Sequence, residues 1–460
     1  LNLVEFERPP SIVYDENKNF MLFLYRDNYK SITELSAKEL RLGGLRIDPK
    51  TNIGSRVTYY NNVKIRNLKN QKSEITQVKG LPKNPKLSNI SWSPDQKRIA
   101  LTNTTETGVE LWVLELENGS VTKLTESNLN SNIGSVINWF SDSENMLVKM
   151  ISNNRRPLID TNKIVPDGPT ISTNFGEKAQ NRTYQDLLKN KFDEHNFEQL
   201  STSTIYKVSI DGTAKKWMDD GMYRTISFSP NGEYVMISQI NKPFSYLVTY
   251  SRFPTETNIY NKDGDFVSNL QKVPLIEELP KGFMSVRTGK RSFSWRPDKG
   301  ASLTYVTALD SGDPSKKVDF RDEVYELNYP FSGKGKFILK TINRFSGIDW
   351  GTKDMAIAYD TWWNTRNRKS YVFNPSNPNI KPKIISDRNY QNTYSDPGSF
   401  LRSRNEFNRS VLKMHYGNIF LRGQGFSPSG QFPFIDKVNT KTFEKTRVYQ
   451  SSYTDKIESI

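Results

Sequence analysis

Residues 91–125 alternate apolar and polar side chains between short polar turns, which is the pattern of a small antiparallel sheet. The pattern predicts strands over residues 98–103 and 109–116. Asn118 and Gly119 form the next turn, because both residues tolerate the positive φ of a tight hairpin. A four-stranded sheet of this size cannot bury both of its faces alone, so it needs similar sheets as neighbours.

The same pattern recurs along the chain as an aromatic residue, a turn containing Pro, Gly or Asp, and an apolar strand. The aromatic residues that open the repeats are Tyr14, Trp92, Trp139, Phe228, Trp295 and Trp350. The spacing from Trp92 to Trp139 is that of one propeller blade. We therefore predict an all-β chain in which residues 1–460 form a β-propeller of about seven four-stranded blades, with eight as the upper count. A set of β-sandwiches is the alternative, which the unbroken composition disfavours.

Residues 153–200 interrupt the repeat and are interpreted as an insertion on a rim of the propeller. Apolar residues such as Leu188, Phe192 and Phe197 have helical spacing, so we predict a short helical insertion near residues 183–200. Long insertions into a regular array are commonly functional.

Charge and composition narrow the possible chemistry. The chain has 65 Lys and Arg against 50 Asp and Glu, a net charge of +15. The basic residues are scattered, so we predict a solvated basic surface and no nucleic-acid partner. The absence of cysteine excludes disulfides, thiolate–zinc sites and a cysteine nucleophile. We also predict no metal site, no cofactor and, since no apolar run reaches about 18 residues, no transmembrane segment.

The sequence predicts no catalytic residue in this chain. His195 is interpreted as a surface residue and His415 as a structural one, so no general base for a serine nucleophile is identified. The nearest approach to a nucleophile elbow is residues 425–430. There Pro428 follows Ser427 and lacks the N–H that an oxyanion hole requires, so we predict a turn.

Several segments together carry a family resemblance. They are TNTTETGVELWV (102–113), NRTYQDLLK (181–189), PFSY (243–246), VRTG (286–289), SWR (294–296), ALD (308–310), DTWWN (360–364) and ISDRNYQ (385–391). They resemble the N-terminal propeller of prolyl oligopeptidase-family serine peptidases, in the glutamyl endopeptidase branch. The resemblance covers nearly the whole chain.

The resemblance implies a propeller that caps a C-terminal α/β-hydrolase domain, in which an activated serine performs acyl transfer. The sequence departs from the family by stopping before that domain, so no triad residue can be carried over. We expect the domain in the parent protein, with the propeller restricting access to short or unfolded peptides. The implied partners are therefore a peptide substrate and the hydrolase domain. For this chain alone we expect no peptidase activity.

Cleavage after glutamate would require a cation for the substrate carboxylate, and arginine binds carboxylates through its planar fork. The candidate residues are Arg155, Arg156, Arg182, Tyr184, Arg252, Arg287 and Arg291. Arg182, close to Tyr184 in the insertion, and Arg252 are favoured. The loop containing Thr105, Glu106 and Thr107 exceeds what a blade requires. It is expected to lie on the rim and face the hydrolase domain.

The alternative function is a stand-alone propeller that acts as a protein-interaction module in a cell-envelope complex. The length of the encoded protein distinguishes a peptidase propeller from a stand-alone propeller, because only the first requires a hydrolase domain beyond this chain. A propeller glycosidase would need paired carboxylates facing the channel, and the family resemblance argues against it. The missing initiator Met and the absence of cysteine favour an exported bacterial protein, in the periplasm or on the cell surface, over a cytoplasmic one. The plastid stroma is the other location considered.

Overall fold

The computed structural model describes residues 6–70, 72–160, 163, 176, 184–456 and 458–460. Within these residues the α-helices are α1 (Ile32–Leu35) and α2 (Lys191–Ser201), with 3₁₀ turns at Tyr250–Arg252 and Thr393–Ser395. The chain divides into two compact units. Unit 1 comprises Leu1–Ser227 and Val235–Glu277, and unit 2 comprises Phe228–Tyr234 and Glu278–Ile460.

Unit 1 begins with two four-stranded antiparallel sheets. The first has the order β1 (Ser11–Tyr14), β2 (Phe20–Tyr25), β6 (Asn62–Asn67) and β7 (Thr76–Gln77). Between β2 and β6 lie α1 and a small sheet of β3 (Leu40–Leu42), β4 (Leu45–Asp48) and β5 (Ile53–Gly54), which the sequence did not reveal. The second four-stranded sheet consists of β8 (Leu87–Trp92), β9 (Arg98–Thr104), β10 (Val109–Glu115) and β11 (Ser120–Lys123).

A seven-stranded sheet follows, built as two four-stranded units that share one strand. Its strands in order are β12 (Ile137–Trp139), β13 (Asn145–Ile151), β14 (Ser203–Ser209), β15 (Ala214–Phe228), β16 (Tyr234–Ile240), β17 (Thr255–Asn261) and β18 (Phe266–Val273). The shared strand β15 is 15 residues long and pairs with β14 on one side and β16 on the other.

Unit 2 contains three further sheets of the same type. One has β19 (Arg291–Trp295), β20 (Ser302–Ala308), β21 (Asp322–Asn328) and β22 (Lys336–Thr341), and the next has β23 (Arg344–Thr352), β24 (Met355–Trp362), β25 (Asn367–Phe373) and β26 (Lys383–Asn389). The last pairs β27 (Ser399–Phe400), β31 (Asn418–Gly423), β34 (Phe434–Asn439) and β35 (Lys445–Gln450), with β30 (Met414–His415) added on β31. Two short hairpins join β28 (Arg402–Arg404) to β29 (Ser410–Leu412) and β32 (Phe426–Ser427) to β33 (Gly430–Gln431).

The described residues thus form seven four-stranded units, and the predicted all-β, propeller-type fold is confirmed. The turn predicted at Asn118 connects the paired strands β10 and β11, and turns at Asp211, Asp263 and Asn439 connect further paired strands. Residues 451–456 and 458–460 contain no strand.

Apolar faces of neighbouring sheets pack against each other and form the core. In unit 1, Leu111 of β10 is buried in one cluster with Val148 of β13. Leu22 of β2 is buried with Leu101 of β9. In unit 2, Val306 of β20 shares a cluster with Ala358 of β24. Both faces of a central sheet are therefore buried, although each strand is short.

The insertion contains a helix that starts later than predicted. Helix α2 begins at Lys191 rather than near residue 183, because the side chain of Asn190 accepts a hydrogen bond from the N–H of Asp193 (2.9 Å) and caps it. Phe197 and Leu200 are fully buried in a cluster with Phe253. Helix α2 is thus packed against the rest of unit 1 by its apolar face.

Replacing Leu200 by alanine should remove part of this packing. Large-to-small changes at fully buried leucines cost about 2–5 kcal/mol, so Leu200→Ala should lower the free energy of unfolding by that amount. Leu247, which is 62% exposed, is the matched control. Leu247→Ala should change the free energy of unfolding by less than about 0.5 kcal/mol. Urea unfolding measures both. Equal effects of the two variants would contradict the packing of α2.

Lys149 of β13 makes the free energy of unfolding depend on pH. It is 2% exposed, its Nζ donates to the carbonyl of Ile133, and burial lowers its pKa to about 7. Between about pH 7 and 10.5 the unfolded chain holds a proton that the folded chain lacks, so the free energy of unfolding should rise with pH across this window. Lys149→Met should flatten that rise and stabilise the protein at pH 6.

Urea titrations at pH 6, 8 and 9.5 measure this effect, with the exposed Lys215→Met as the matched control. If both variants keep the slope of the unmodified protein, Lys149 does not lose its proton in this window.

Candidate functional site

In unit 2 the VRTG segment is fixed against the end of a strand. The N–H of Val286 donates to the carbonyl of Gly312, in the loop after β20, at 3.1 Å. Gly312 has a φ of +77°, and a Cβ at this position would lie 1.9 Å from the oxygen of Val286. Only glycine allows this approach, which holds the chain around Arg287 beside the sheet.

Arg291, the first residue of β19, enters a buried network of guanidinium and carboxylate groups. Its Nη2 lies 2.6 Å from Oδ1 of Asp322, and its side chain is 11% exposed. The guanidinium of Arg344 lies 3.1 Å from Asp322 and 2.7 Å from Asp310. Arg321 contacts the same carboxylate of Asp310 at 2.8 Å. Both aspartates are buried, so the network links the ends of β20, β21 and β23.

This network has more positive than negative charge. Three guanidinium groups, those of Arg291, Arg321 and Arg344, contact the two carboxylates of Asp310 and Asp322, so the contacting cations outnumber the carboxylates by one. Arg287 lies near Arg291, and its guanidinium donates to the carbonyl of Thr288 (3.0 Å) and to that of Lys290. Burial, and then the charge of Arg291, lower the pKa of Arg287. The buried Nε of Arg291 has no hydrogen-bond acceptor among the described residues. A carboxylate ligand would offset both the charge excess and the missing acceptor.

Aromatic residues of the DTWWN segment border the network. The guanidinium of Arg321 lies 3.9 Å from the ring centroid of Trp362. Asp360, at the start of the segment, accepts hydrogen bonds from the N–H of Asn343 (2.8 Å) and the hydroxyl of Tyr371 (2.5 Å). Burial raises the pKa of Asp360 even though these hydrogen bonds oppose it. The VRTG, ALD and DTWWN segments therefore meet at the same end of two neighbouring sheets.

The favoured candidates in unit 1 form a separate contact. The guanidinium of Arg252 lies 5.6 Å from the ring centroid of Tyr184, a cation–π distance. Helix α2 is joined to the same region, because the hydroxyl of Tyr246 donates to Glu194 at 2.5 Å. The other favoured residue, Arg182, lies outside the described residues. The structure thus brings Arg252 and Tyr184 into contact, and their role in substrate binding stays a prediction.

Two further candidate arginines have other contacts. Nη1 of Arg155 donates to Oδ1 of Asn52 at 2.9 Å, and burial lowers the pKa of Arg155. Arg156 is largely exposed and lies 3.9 Å from Glu198 of α2. Neither contact brings these arginines to Tyr184 or Arg252, so the structure gives no reason to join all four residues in one site.

The loop with Thr105, Glu106 and Thr107 is shorter than expected. Thr104 pairs with Val109, and the N–H of Thr105 donates to the carbonyl of Gly108 at 2.8 Å. The connection is thus a compact four-residue hairpin turn, which corrects the expectation that it exceeds what a blade requires. Its orientation toward a hydrolase domain remains a prediction.

The histidines have ordinary surroundings. The Nε2 atom of His195 lies 3.0 Å from the carbonyl of Pro157, and the ring of His415 packs on Tyr416. Ser427 lies in the β32–β33 hairpin, so the predicted turn at residues 425–430 is confirmed. Among the described residues, no three His, Asp or Glu side chains are placed to hold a metal ion. None of the helices in that part of the chain is long and apolar enough to cross a membrane.

The sequence hypothesis missed Arg321, Arg344 and their aspartates. The sequence indicates these residues only by their position, because an Arg-Asp pair (321–322) and an Asn-Arg pair (343–344) lie where strands begin. Charged residues at strand starts are common at turns, so the pairs alone did not indicate a network. The register of three strands was needed to bring them together.

Comparison with known proteins gives relatives that match along the whole of this chain. No protein-family model matches the chain. It is 32% identical over 478 residues to a probable glutamyl endopeptidase, chloroplastic, of Oryza sativa subsp. japonica, covering 100% of this chain and 51% of that protein. For the protein of the same name from Arabidopsis thaliana the identity is 30% over 483 residues, with 100% and 49% covered. The chain spans about half the length of the curated relatives it matches.

Among solved structures, the β-propeller domain of the Trilobed protease from Pyrococcus furiosus is 10% identical, with 97% of this chain and 98% of that chain covered and a TM-score of 0.40. The fold assignment rests on the strand pairing, not on this likeness. The curated relatives confirm the predicted resemblance to glutamyl endopeptidases, which extends along the whole of this chain. Both relatives are named chloroplastic, and the export of this chain in a bacterium stays a prediction.

The buried network should be sensitive to loss of one carboxylate. Asp310→Asn removes the carboxylate that Arg321 and Arg344 share and leaves Arg344 with Asp322 alone, so the free energy of unfolding should fall by about 3–5 kcal/mol. Asp319→Asn, at an exposed position, is the matched control and should change it by less than about 0.5 kcal/mol. Chemical denaturation measures both, and a loss below about 1 kcal/mol for Asp310→Asn would contradict the network.

Proposed function

We propose that the chain is the substrate-admitting and substrate-binding propeller of a serine peptidase that cleaves peptides after glutamate. In this proposal a C-terminal α/β-hydrolase domain of the parent protein supplies the serine nucleophile and the general base. The propeller contributes no reacting group; it limits access to short or unfolded peptides and binds part of the substrate. The names of the curated relatives support the reaction class.

The network around Arg291, in which three guanidinium groups contact two carboxylates, is the observation that carries the binding part of the proposal. A glutamate carboxylate can accept two parallel hydrogen bonds from one guanidinium and offset one positive charge of the network. A glutamine side chain can do neither, because it is neutral and half of its amide is a donor. The network would therefore select glutamate over glutamine by charge, although the two side chains have nearly the same shape.

The surrounding fold would keep these arginines in place. Arg291 is held by Asp322, and Asp322 also accepts a hydrogen bond from the N–H of Phe345 (2.8 Å). Nε of Arg344 donates to the carbonyl of Met284 (2.8 Å), which links the network to the VRTG segment. Binding groups that are fixed before the substrate arrives lose little conformational entropy on binding.

Hydrolysis by the protein as isolated from its source tests the reaction class. We expect cleavage of a chromogenic peptide after Glu, and an intact mass well above the 53.1 kDa of this chain. A protein of 53.1 kDa without peptidase activity would support the alternative, a stand-alone propeller that acts as an interaction module.

Substitution of Arg287 tests the binding site. Loss of a charge-assisted contact costs about 1.5–3 kcal/mol, so Arg287→Gln should reduce kcat/KM for the Glu peptide about 10- to 100-fold and leave a Gln peptide nearly unchanged. Lys97→Gln, at an exposed position outside every candidate site, is the control and should keep wild-type kinetics. If Arg252→Gln has this effect and Arg287→Gln has none, the carboxylate site is at Arg252 and Tyr184, while the peptidase proposal stands.

A further inference from the structure

A polar cavity lies within unit 2, apart from the Arg291 network. It is a cleft of about 960 Å³ between the β23–β26 sheet and the last sheet. This volume is that of a ligand-binding pocket. Apolar residues of the cluster between the two sheets, including Phe400, Leu421 and Val438, also line the cleft. The cleft therefore has an apolar floor.

Its walls are strongly basic. The cationic lining residues are Arg368, Lys383, Arg388, Arg402, Arg422 and Lys445. The carboxylates that line the same cleft are Asp349 and Asp396. Six positive charges thus face two negative ones.

The two carboxylates already have partners. Nη2 of Arg388 lies 2.9 Å from Asp396, and Arg402 forms an ion pair with Asp349. After these pairs, the charges of the other four cationic residues are not matched by any carboxylate of the cleft lining. This excess would attract a ligand with several negative charges.

Aromatic rings hold two of these cations without neutralising them. The guanidinium of Arg368 lies 4.9 Å from the ring centroid of Tyr359, and Nζ of Lys383 lies 4.7 Å from that of Phe443. Cation–π contacts fix a side chain and leave its charge available. The hydroxyl of Tyr359 donates to Asp349 at 2.8 Å, which completes one wall.

The shape of the cleft suits an extended chain. Strand β26 is the last strand of its sheet, and its residues 383–386 and Arg388 line the cleft. A terminal strand of this kind can pair with an added extended segment. On the other side, Gly398 has a φ of +86°, and a Cβ there would lie 2.4 Å from the oxygen of Arg422. Glycine thus allows the loop before β27 to lie close to β31 and form the opposite wall.

We infer that this cleft binds an acidic peptide in extended conformation, with carboxylates on Arg368, Lys383, Arg422 and Lys445 and apolar side chains on the floor. The inference does not depend on the proposed peptidase function, because it uses other residues and no reaction step.

A fluorescein-labelled peptide of alternating Asp and Val is a suitable probe, since it contains no glutamate to be cleaved. Anisotropy titration should show saturable binding that weakens with salt, and a matched Asn/Val peptide should bind at least tenfold more weakly. The double variant Lys383→Gln, Lys445→Gln should weaken binding about five- to tenfold. A second double variant, Arg368→Gln with Arg422→Gln, should act in the same direction.

The double variant Lys97→Gln, Lys215→Gln, which removes two exposed lysines outside the cleft, is the matched control and should bind like the unmodified chain. Circular dichroism establishes that each variant is folded. Equal affinity for the Asp and Asn peptides, or equal losses in cleft and control variants, would overturn the inference. Binding of a single-stranded oligonucleotide of the same charge in place of the acidic peptide would overturn it as well.

Discussion

The structure depends on the packing of one short sheet against the next. A four-stranded sheet exposes two apolar faces and cannot bury both by itself, so each sheet requires a neighbour. The clusters that join β2 to β9, β10 to β13 and β20 to β24 satisfy this requirement within each unit. Burial of these faces fixes the strands, and the strand ends are then free to carry polar residues that packing alone does not need.

The polar residues at the strand ends are not explained by the packing of the sheets. Buried guanidinium–carboxylate networks are expensive to desolvate and add little net stability over apolar packing. The network of Arg291, Arg321, Arg344, Asp310 and Asp322 nevertheless lies next to three segments that resemble the glutamyl endopeptidase branch. A network with excess positive charge is better explained by recognition of an anion than by stability. This is the physical reason for placing the proposed carboxylate site there.

The repeats could be predicted from the sequence because they depend on local chemistry. The sheets were predicted from aromatic residues before turns, from apolar strands and from an Asn-Gly hairpin. The candidate site could be predicted only in part. Arg287 and Arg291 could be named as candidates, but their partners Asp322 and Arg344 are brought to them by strand register, which no local pattern specifies. The small sheet of β3, β4 and β5 was not predicted, because its strands are only two to four residues long. The late start of α2 depends on one capping residue, Asn190.

The central claim is that the arginines beside the VRTG segment bind a glutamate carboxylate. A crystal structure of the native protein with a peptide containing glutamate tests it most directly. The account predicts the glutamate carboxylate within hydrogen-bond distance of Arg287 or Arg291, next to the ion pair with Asp322. A glutamate carboxylate bound elsewhere, with the side chains of Arg287 and Arg291 turned away from the peptide, would contradict it.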